Sequence, residues 1–333
     1  MTTTPPPLVD LRLLRVFLAV SETGSMTAAA QQLGLTQSAI SQSLRQLEAE
    51  FNVSLFARDR RPLQLTPAGN ALRERAARLV EDANHLPSLL QEIGGSLPVI
   101  RIGLVDSFAA TVGPHLIRDL LRETLHLSVY SGLSPSHGEA LQRRAVDLAV
   151  TSDSLDDIDG LERHLLLQEP FLLVVPTDYA EDTAGLTLDQ IAARYPMVRY
   201  SARSHLGTQV ERHLRRLGIV APRTVEMDTS DTLVAMVAAG CGWAITTPLC
   251  YLQGRAHAER ALPMRLPGPG FTRSLVLIAR SGEYAELPRK VASHAHRILV
   301  SAVIPEIRRM IPWIGSELAV GNTSSTREIP PPQ

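Results

Sequence analysis

Between Ser25 and Phe51 the chain holds two hydroxyl residues suited to start helices, Ser25 and Thr36, separated by an alanine-rich run and by Gly34-Leu35. Ser or Thr at an N-cap accepts the free amides of the first turn, and glycine permits the left-handed residue that ends a helix. The pattern predicts a short helix carrying Ala28, Ala29, Ala30 and Leu33, a tight turn, and a second helix with Ile40, Leu44, Leu47 and Phe51 at helical spacing. Two helices crossing steeply on so short a turn need small side chains at the contact, and the alanines supply them. An earlier helix starts at Asp10, with Leu11, Leu14, Phe17 and Leu18 on one face. The sum is a helix-turn-helix layout.

The helix capped by Thr36 has two sides. Its apolar residues point inward, which leaves Gln37, Ser38, Ser41, Gln42 and Arg45 outside. Gln pairs with adenine, Ser reaches bases or phosphates, and Arg reads guanine or grips the backbone. A solvated helix face is the competing reading. The segment from Leu55 to Thr66 then reads as a two-stranded wing around Arg58, Arg60 and Arg61, a local basic patch suited to phosphate or minor-groove contact. Global charge says nothing of this. The net charge is −1, residues 1–95 hold nine Arg against nine acidic residues, and the Arg bias reflects the whole chain, in which Lys290 is the only lysine.

Ala28-Ala29, Leu33, Gln37-Ser38-Ala39-Ile40-Ser41, Leu47-Glu48, Leu55-Phe56-Ala57-Arg58 and Leu65-Thr66-Pro67-Ala68-Gly69 together resemble the N-terminal signature of LysR-type transcriptional regulators. Ser38 stands where that family often has proline. The resemblance implies a multi-domain chain: a mainly α winged helix-turn-helix, a long linker helix, and a two-lobed α/β domain resembling type 2 periplasmic binding proteins. It implies double-stranded operator DNA as partner, with Ser25, Thr36 and the residues of the outer face and wing as contacts. It also implies a homodimer or homotetramer and an encounter with RNA polymerase.

Past Thr66, Pro67 occupies a favoured first helical position. Leu72, Ala76, Leu79, Ala83, Leu86 and Leu90 follow at alternating spacings of four and three, the seam of a coiled coil. About 27 residues span on the order of 40 Å, and a self-associating pair would set two recognition helices roughly 34 Å apart, one turn of DNA. Packing of the stripe on the chain's own second half is the alternative. Pro87 removes one helical hydrogen bond and predicts a kink or an end near Ala83.

A length of 333 residues suggests two or three domains at about 150 residues each. The divisions read as a tail over 1–7, a DNA-binding domain over 8–66, a linker and hinge over 67–95, and an effector domain over 96–304. Within the last, lobe I covers about 98–167 and 267–304, and lobe II about 168–266. A largely disordered extension is expected over 305–333. The alternation of short apolar strands and helical patterns after residue 98 predicts an α/β fold.

Ligands sit at the carboxyl ends of strands in such sheets, which selects Ser107, Ser134, Ser201, Ser204, His205, Asp228, Thr229 and Thr246. The resemblance points to an inter-lobe effector cleft at Ser107, Ser134, Ser204, His205 and Leu206, with Thr229 opposite. Hydroxyls and helix N-termini suit an anion, so a small carboxylate is expected. Ordinary helix capping competes at each Ser and Thr.

No catalytic motif and no cofactor motif is present, and Cys241 and Cys250 lack the spacing of a zinc site. A structural role suits Cys241, between glycines, although two cysteines leave redox sensing open. The opening MTTTPPP lacks the marks of a secretory signal, and no apolar run suits a membrane helix, so a cytoplasmic protein is expected. The alternatives are a solute-binding protein or a cytosolic enzyme on the same α/β scaffold.

Overall fold

A computed structural model describes residues 10–57, 62–93, 99–221 and 225–321. They form two compact units, residues 1–94 and 95–333.

The first unit starts with α1 (Leu11–Thr23), α2 (Met26–Leu33) and α3 (Gln37–Phe51). Each is capped as its sequence requires: Asp10 accepts from the Arg12 amide, Ser25 from Ala28 and Thr36 from Ala39. Gly24 and Gly34, at φ 63° and 67°, end the first two. The wing follows as antiparallel β1 (Phe56–Ala57) and β2 (Gln64–Leu65). Its base is tied to α3 by Glu48, whose Oε1 accepts from the Leu55 amide at 2.7 Å. Thr66 then caps α4 (Pro67–Ile93), accepting from the Gly69 amide at 3.0 Å.

The core of this unit gathers Leu14, Phe17, Ala29, Ile40, Leu47 and Leu55, all nearly solvent-free, around Ala76 and Val80 of α4. Helix α4 runs through Pro87 without a break. The expected helix end near Ala83 is therefore corrected: the loss of one hydrogen bond does not terminate a helix whose neighbouring turns remain bonded.

The second unit opens with β3 (Val99–Val105), α5 (Asp106–Thr111), α6 (Gly113–Leu120), β4 (His126–Gly132), α7 (Ser134–Gln142) and β5 (Leu148–Thr151). A long strand, β6 (Leu161–Pro170), leads directly into β7 (Leu172–Pro176). Then come α8 (Ala180–Thr183), α9 (Leu188–Arg194), β8 (Val198–Tyr200), α10 (His205–Arg216), β9 (Val225–Met227), α11 (Ser230–Ala238), β10 (Ala244–Thr246), α12 (Pro248–Gln253) and β11 (Ala261–Arg265). The chain returns through β12 (Thr272–Arg280) to α13 (Leu287–Ile298), α14 (Ile304–Met310) and β13 (Ala319–Val320).

Six strands make one mixed sheet in the order β13-β6-β12-β5-β3-β4. Strand β3 is parallel to β4 and β5, while β12 is antiparallel to β5 and β6. The other lobe holds the antiparallel set β10-β7-β11 and the parallel pair β8-β9, linked by a bridge between Met197 and Trp243. The two crossings between lobes are the exits of β6 and entry of β12, where Phe171 and Phe271 stack at 3.9 Å.

The expectation of a largely disordered stretch after residue 304 is corrected as far as Gly321. Ile304, Ile307, Ile311 and Ile314 are buried at helical spacing, and β13 pairs with β6 through Ala319 and Val320. The apolar period was in the sequence, and burying it against lobe I outweighs the entropy of ordering the segment. Residues 322–333 and the tail at 1–7 lie outside the described residues. Strands β6 and β11 lack a clean alternation of apolar and polar residues.

Candidate functional site

The first unit presents the polar side of α3. Ile40, Leu44 and Leu47 are buried, while Gln37, Ser38, Gln42 and Arg45 are exposed and Ser41 is half-buried. Local bonds pre-arrange this side: Thr36 Oγ1 and Ser38 Oγ lie 3.0 Å apart, and Arg45 folds back to Ser41, with Nε donating to the carbonyl at 3.2 Å and Nη2 to Oγ at 3.3 Å. Thr36 is exposed and Ser25 half-buried, each serving as an N-cap. Arg58, Arg60 and Arg61 lie outside the described residues.

The expected seam on α4 divides. Ala76 is fully buried against the unit's own core and so is closed to a second chain, while Leu72, half-buried, packs on the same core. This corrects the single continuous stripe: a heptad pattern marks apolar positions but not which neighbour covers each one. Leu79 and Leu86 remain 48% and 56% exposed, and Ala83 is half-buried. The Leu90 side chain lies outside the described residues.

In the second unit a narrow cleft, open to solvent at its mouth, lies between the lobes. Ser107, Ser134, Ser204, His205 and Leu206 all line it. Ser107, Ser134 and Ser204 are buried. Ser204 caps α10, accepting from the Gly207 amide at 2.8 Å, and Ser134 Oγ meets Ser152 Oγ at 2.8 Å. Thr229 is not in the lining. Its hydroxyl caps α11 and pairs with Thr232 at 2.8 Å, so the capping role wins there, and its neighbours Asp228 and Ser230 face the cleft instead. Ser201 and Thr246 are buried behind the wall, with Thr246 bonded to the Tyr200 hydroxyl at 2.7 Å.

Sequence reading missed Asp106, Ser152, Tyr200, Ser230 and Arg273 in this lining, together with Glu169 behind it. Arg273 is 1% exposed and Glu169 fully buried. They face each other in the β6–β12 register, with Arg273 Nε donating to Glu169 Oε1 at 2.9 Å. A charge inside an otherwise apolar strand was the available signal.

Under the floor, His137 Nε2 lies 2.8 Å from the Leu104 carbonyl. Gly103 is required above it, since a Cβ there would stand 2.7 Å from His137 Nδ1. Burial lowers the pKa of His137, as it does for His205, His213 and His296, from an ordinary value of 6.5. For His205 the nearby Asp153 carboxylate, 3.9 Å away, opposes the shift. All four bind protons less readily when folded, so the unfolded chain takes up more protons below pH 6.5. Their contribution to stability is present above that value and is lost as pH falls through the lowered folded values. The urea midpoint of the full chain is therefore expected to fall between about pH 7.5 and 5. A midpoint that rises over this interval would contradict the assignment.

Among the described residues no group of three or more His, Cys, Asp or Glu side chains is arranged to hold a metal ion, and no helix is long and apolar enough to cross a membrane. Cys241 is exposed and Cys250 buried, both as free thiols.

Comparison with known proteins adds two family matches. The helix-turn-helix of the bacterial regulatory lysR family matches residues 11–70, and the LysR substrate binding domain matches residues 94–293. A probable nitrogen assimilation transcriptional activator of Synechococcus elongatus is 27% identical over 274 residues, covering 80% of this chain and 88% of that protein. The HTH-type transcriptional regulator CatR of Pseudomonas putida is 27% identical over 289 residues, covering 85% and 96%. Full-length OxyR from Pseudomonas aeruginosa shares the fold with a TM-score of 0.64 at 19% identity, over 87% of this chain and 95% of that one.

Proposed function

The chain belongs to the LysR family of transcriptional regulators, and we propose that it reads its operator with the outer side of α3 while a small carboxylate in the cleft sets its response. It is a DNA-binding regulator modulated by a small molecule, not an enzyme, which sets aside the solute-binding and enzymatic alternatives.

The observation that carries the DNA reading is the division of α3, with Ile40, Leu44 and Leu47 buried and Gln37, Ser38, Gln42 and Arg45 facing out. That side is rich in amide, hydroxyl and guanidinium groups, the donors and acceptors that distinguish base edges in a major groove. The Arg58, Arg60 and Arg61 wing, on this reading, grips phosphates, and Ser25 and Thr36 stand beside the backbone. Gln37→Ala and Gln42→Ala are each expected to weaken specific operator binding by about 1–3 kcal/mol with circular dichroism unchanged. Titration of labelled upstream DNA at fixed salt checks this. Binding indifferent to both changes refutes the recognition side.

For the cleft, support comes from the buried hydroxyls of Ser107, Ser134 and Ser204 and from the start of α10, where free amides favour negative charge. A small carboxylate at 100 times its dissociation constant stabilises its site by about 2.7 kcal/mol, which thermal-shift screening detects. By linkage, the effector and the operator alter each other's affinity by the same factor.

A self-associated pair, as a homodimer or as half of a tetramer, joins through the exposed Leu79 and Leu86. Leu79→Glu with Leu86→Glu is expected to lower the oligomeric state measured by sedimentation velocity, and an unchanged distribution rejects this seam. Contact with RNA polymerase at the promoter and residence in the cytoplasm complete the reading. Co-retention of polymerase on promoter DNA tests the first, and cell fractionation the second.

A further inference from the structure

The carboxylate reading leaves one charge in the cleft wall unused. Arg273 is almost completely buried yet lines the cleft. Its Nε and Nη2 both donate to Glu169 Oε1, and Nη2 also reaches Ser107 Oγ at 3.4 Å. Glu169 Oε2 is occupied by the Leu249 amide at 2.8 Å. A guanidinium has five N–H donors in a rigid fork. The two on Nη1 have no hydrogen-bond partner among the described residues. Nη1 is not among the buried atoms that lack a partner, so it is reached from the open cleft, where it can donate to an anion.

The rest of the lining limits what that acceptor can be. Arg273 and His205 are its basic residues, and burial holds His205 toward its neutral form. Asp228 is paired with Arg203 at 2.6 Å. Asp106 also lines the cleft and has no hydrogen-bond partner among the described residues; burial raises its pKa, and nearby His137 opposes that shift. The cleft thus offers one guanidinium edge to an anion and one carboxyl group, Asp106, that disfavours a second acid group beside it.

We infer that Arg273 Nη1 anchors the single acid group of a monocarboxylate effector, that Glu169 holds the guanidinium in place, and that Asp106 excludes a second acid group. This rests on the carboxylate reading of the same cleft. Glu169 is a positioning residue, and it also moderates the anchor by neutralising most of its charge. Removing the Glu169 charge therefore strengthens acid binding, whereas a merely structural role would not.

The test is thermal shift of the full chain with butanoate and benzoate, their amides butanamide and benzamide, and succinate as the second-acid probe. We expect a shift with a monocarboxylate, none with its amide, and less with succinate than with butanoate. Glu169→Gln is expected to enlarge the acid-dependent shift. Arg273→Met combined with Glu169→Gln, which keeps an acceptor for the Leu249 amide, should weaken the acid at least about tenfold. A shift that survives in this double variant, or equal shifts for acid and amide, overturns the anchor while leaving a small-molecule cleft intact. Equal shifts with succinate and butanoate overturn the role of Asp106. No shift with any acid overturns the carboxylate reading, and the anchor with it. Should the double variant fail to fold, Glu169→Gln alone decides, since an unchanged acid-dependent shift there refutes the electrostatic anchor.

Discussion

Arg273→Met, with Glu169 left in place, is expected to destabilise the effector-binding unit by about 3–5 kcal/mol. The reason is the charge it strands rather than the contact it removes. Glu169 is fully buried, and without Arg273 its carboxylate keeps the Leu249 amide as a hydrogen-bond donor but has no counter-charge. Met fills much of the space left by Arg and adds no polar group. Adding Glu169→Gln to the same variant removes the stranded charge, and most of the lost stability should return. Urea unfolding followed by tryptophan fluorescence reads this, because Trp243 is fully buried in the second unit. A single variant that loses less than about 1 kcal/mol, or a double variant less stable than the single, would show that the pair is not held as a buried ion pair.

Gly69→Ala is expected to cost the DNA-binding unit about 2–3 kcal/mol. A Cβ at this position would stand 2.2 Å from the Leu55 carbonyl oxygen and 2.9 Å from Leu65 Cδ2. The side chain could move, but the carbonyl cannot move freely. It accepts the Thr66 amide at 3.0 Å, at the junction of wing and α4. Alanine's better helix propensity returns at most about 1 kcal/mol, so the clash prevails. Gly270→Ala is the control, since nothing lies within 4 Å of its added Cβ. Operator binding measured across a temperature series should fail at lower temperature in Gly69→Ala and stay unchanged in Gly270→Ala. Equal behaviour of the two would mean that α4 can slide away from the wing at little cost.

Much of the first unit was legible before any coordinates. Asp10, Ser25 and Thr36 cap the helices they were expected to cap, because a cap depends only on amides two or three residues away. The inward residues of α3 follow from a period of 3.6. Legibility ended where a pattern had more than one outlet. The stripe on α4 was correctly apolar, yet Ala76 turns to its own core while Leu79 stays exposed. Ile304, Ile307, Ile311 and Ile314 carry a helical period, but the sequence around them does not say which surface buries it.

The cleft divides along the same line. Ser107, Ser134 and Ser204 could be named from strand ends and helix starts, and all three line it. Arg273 and Glu169 could not, although each stands out as a charge in a strand. They are 104 positions apart, and nothing local says that β6 and β12 will lie side by side in that register. By itself the sequence determined the helices, their caps and their inward faces, since these arise from neighbours within one or two turns. Tertiary structure alone decided which apolar stripe was already covered and which buried charge met its counter-charge, since both depend on segments brought together only when the sheet closes.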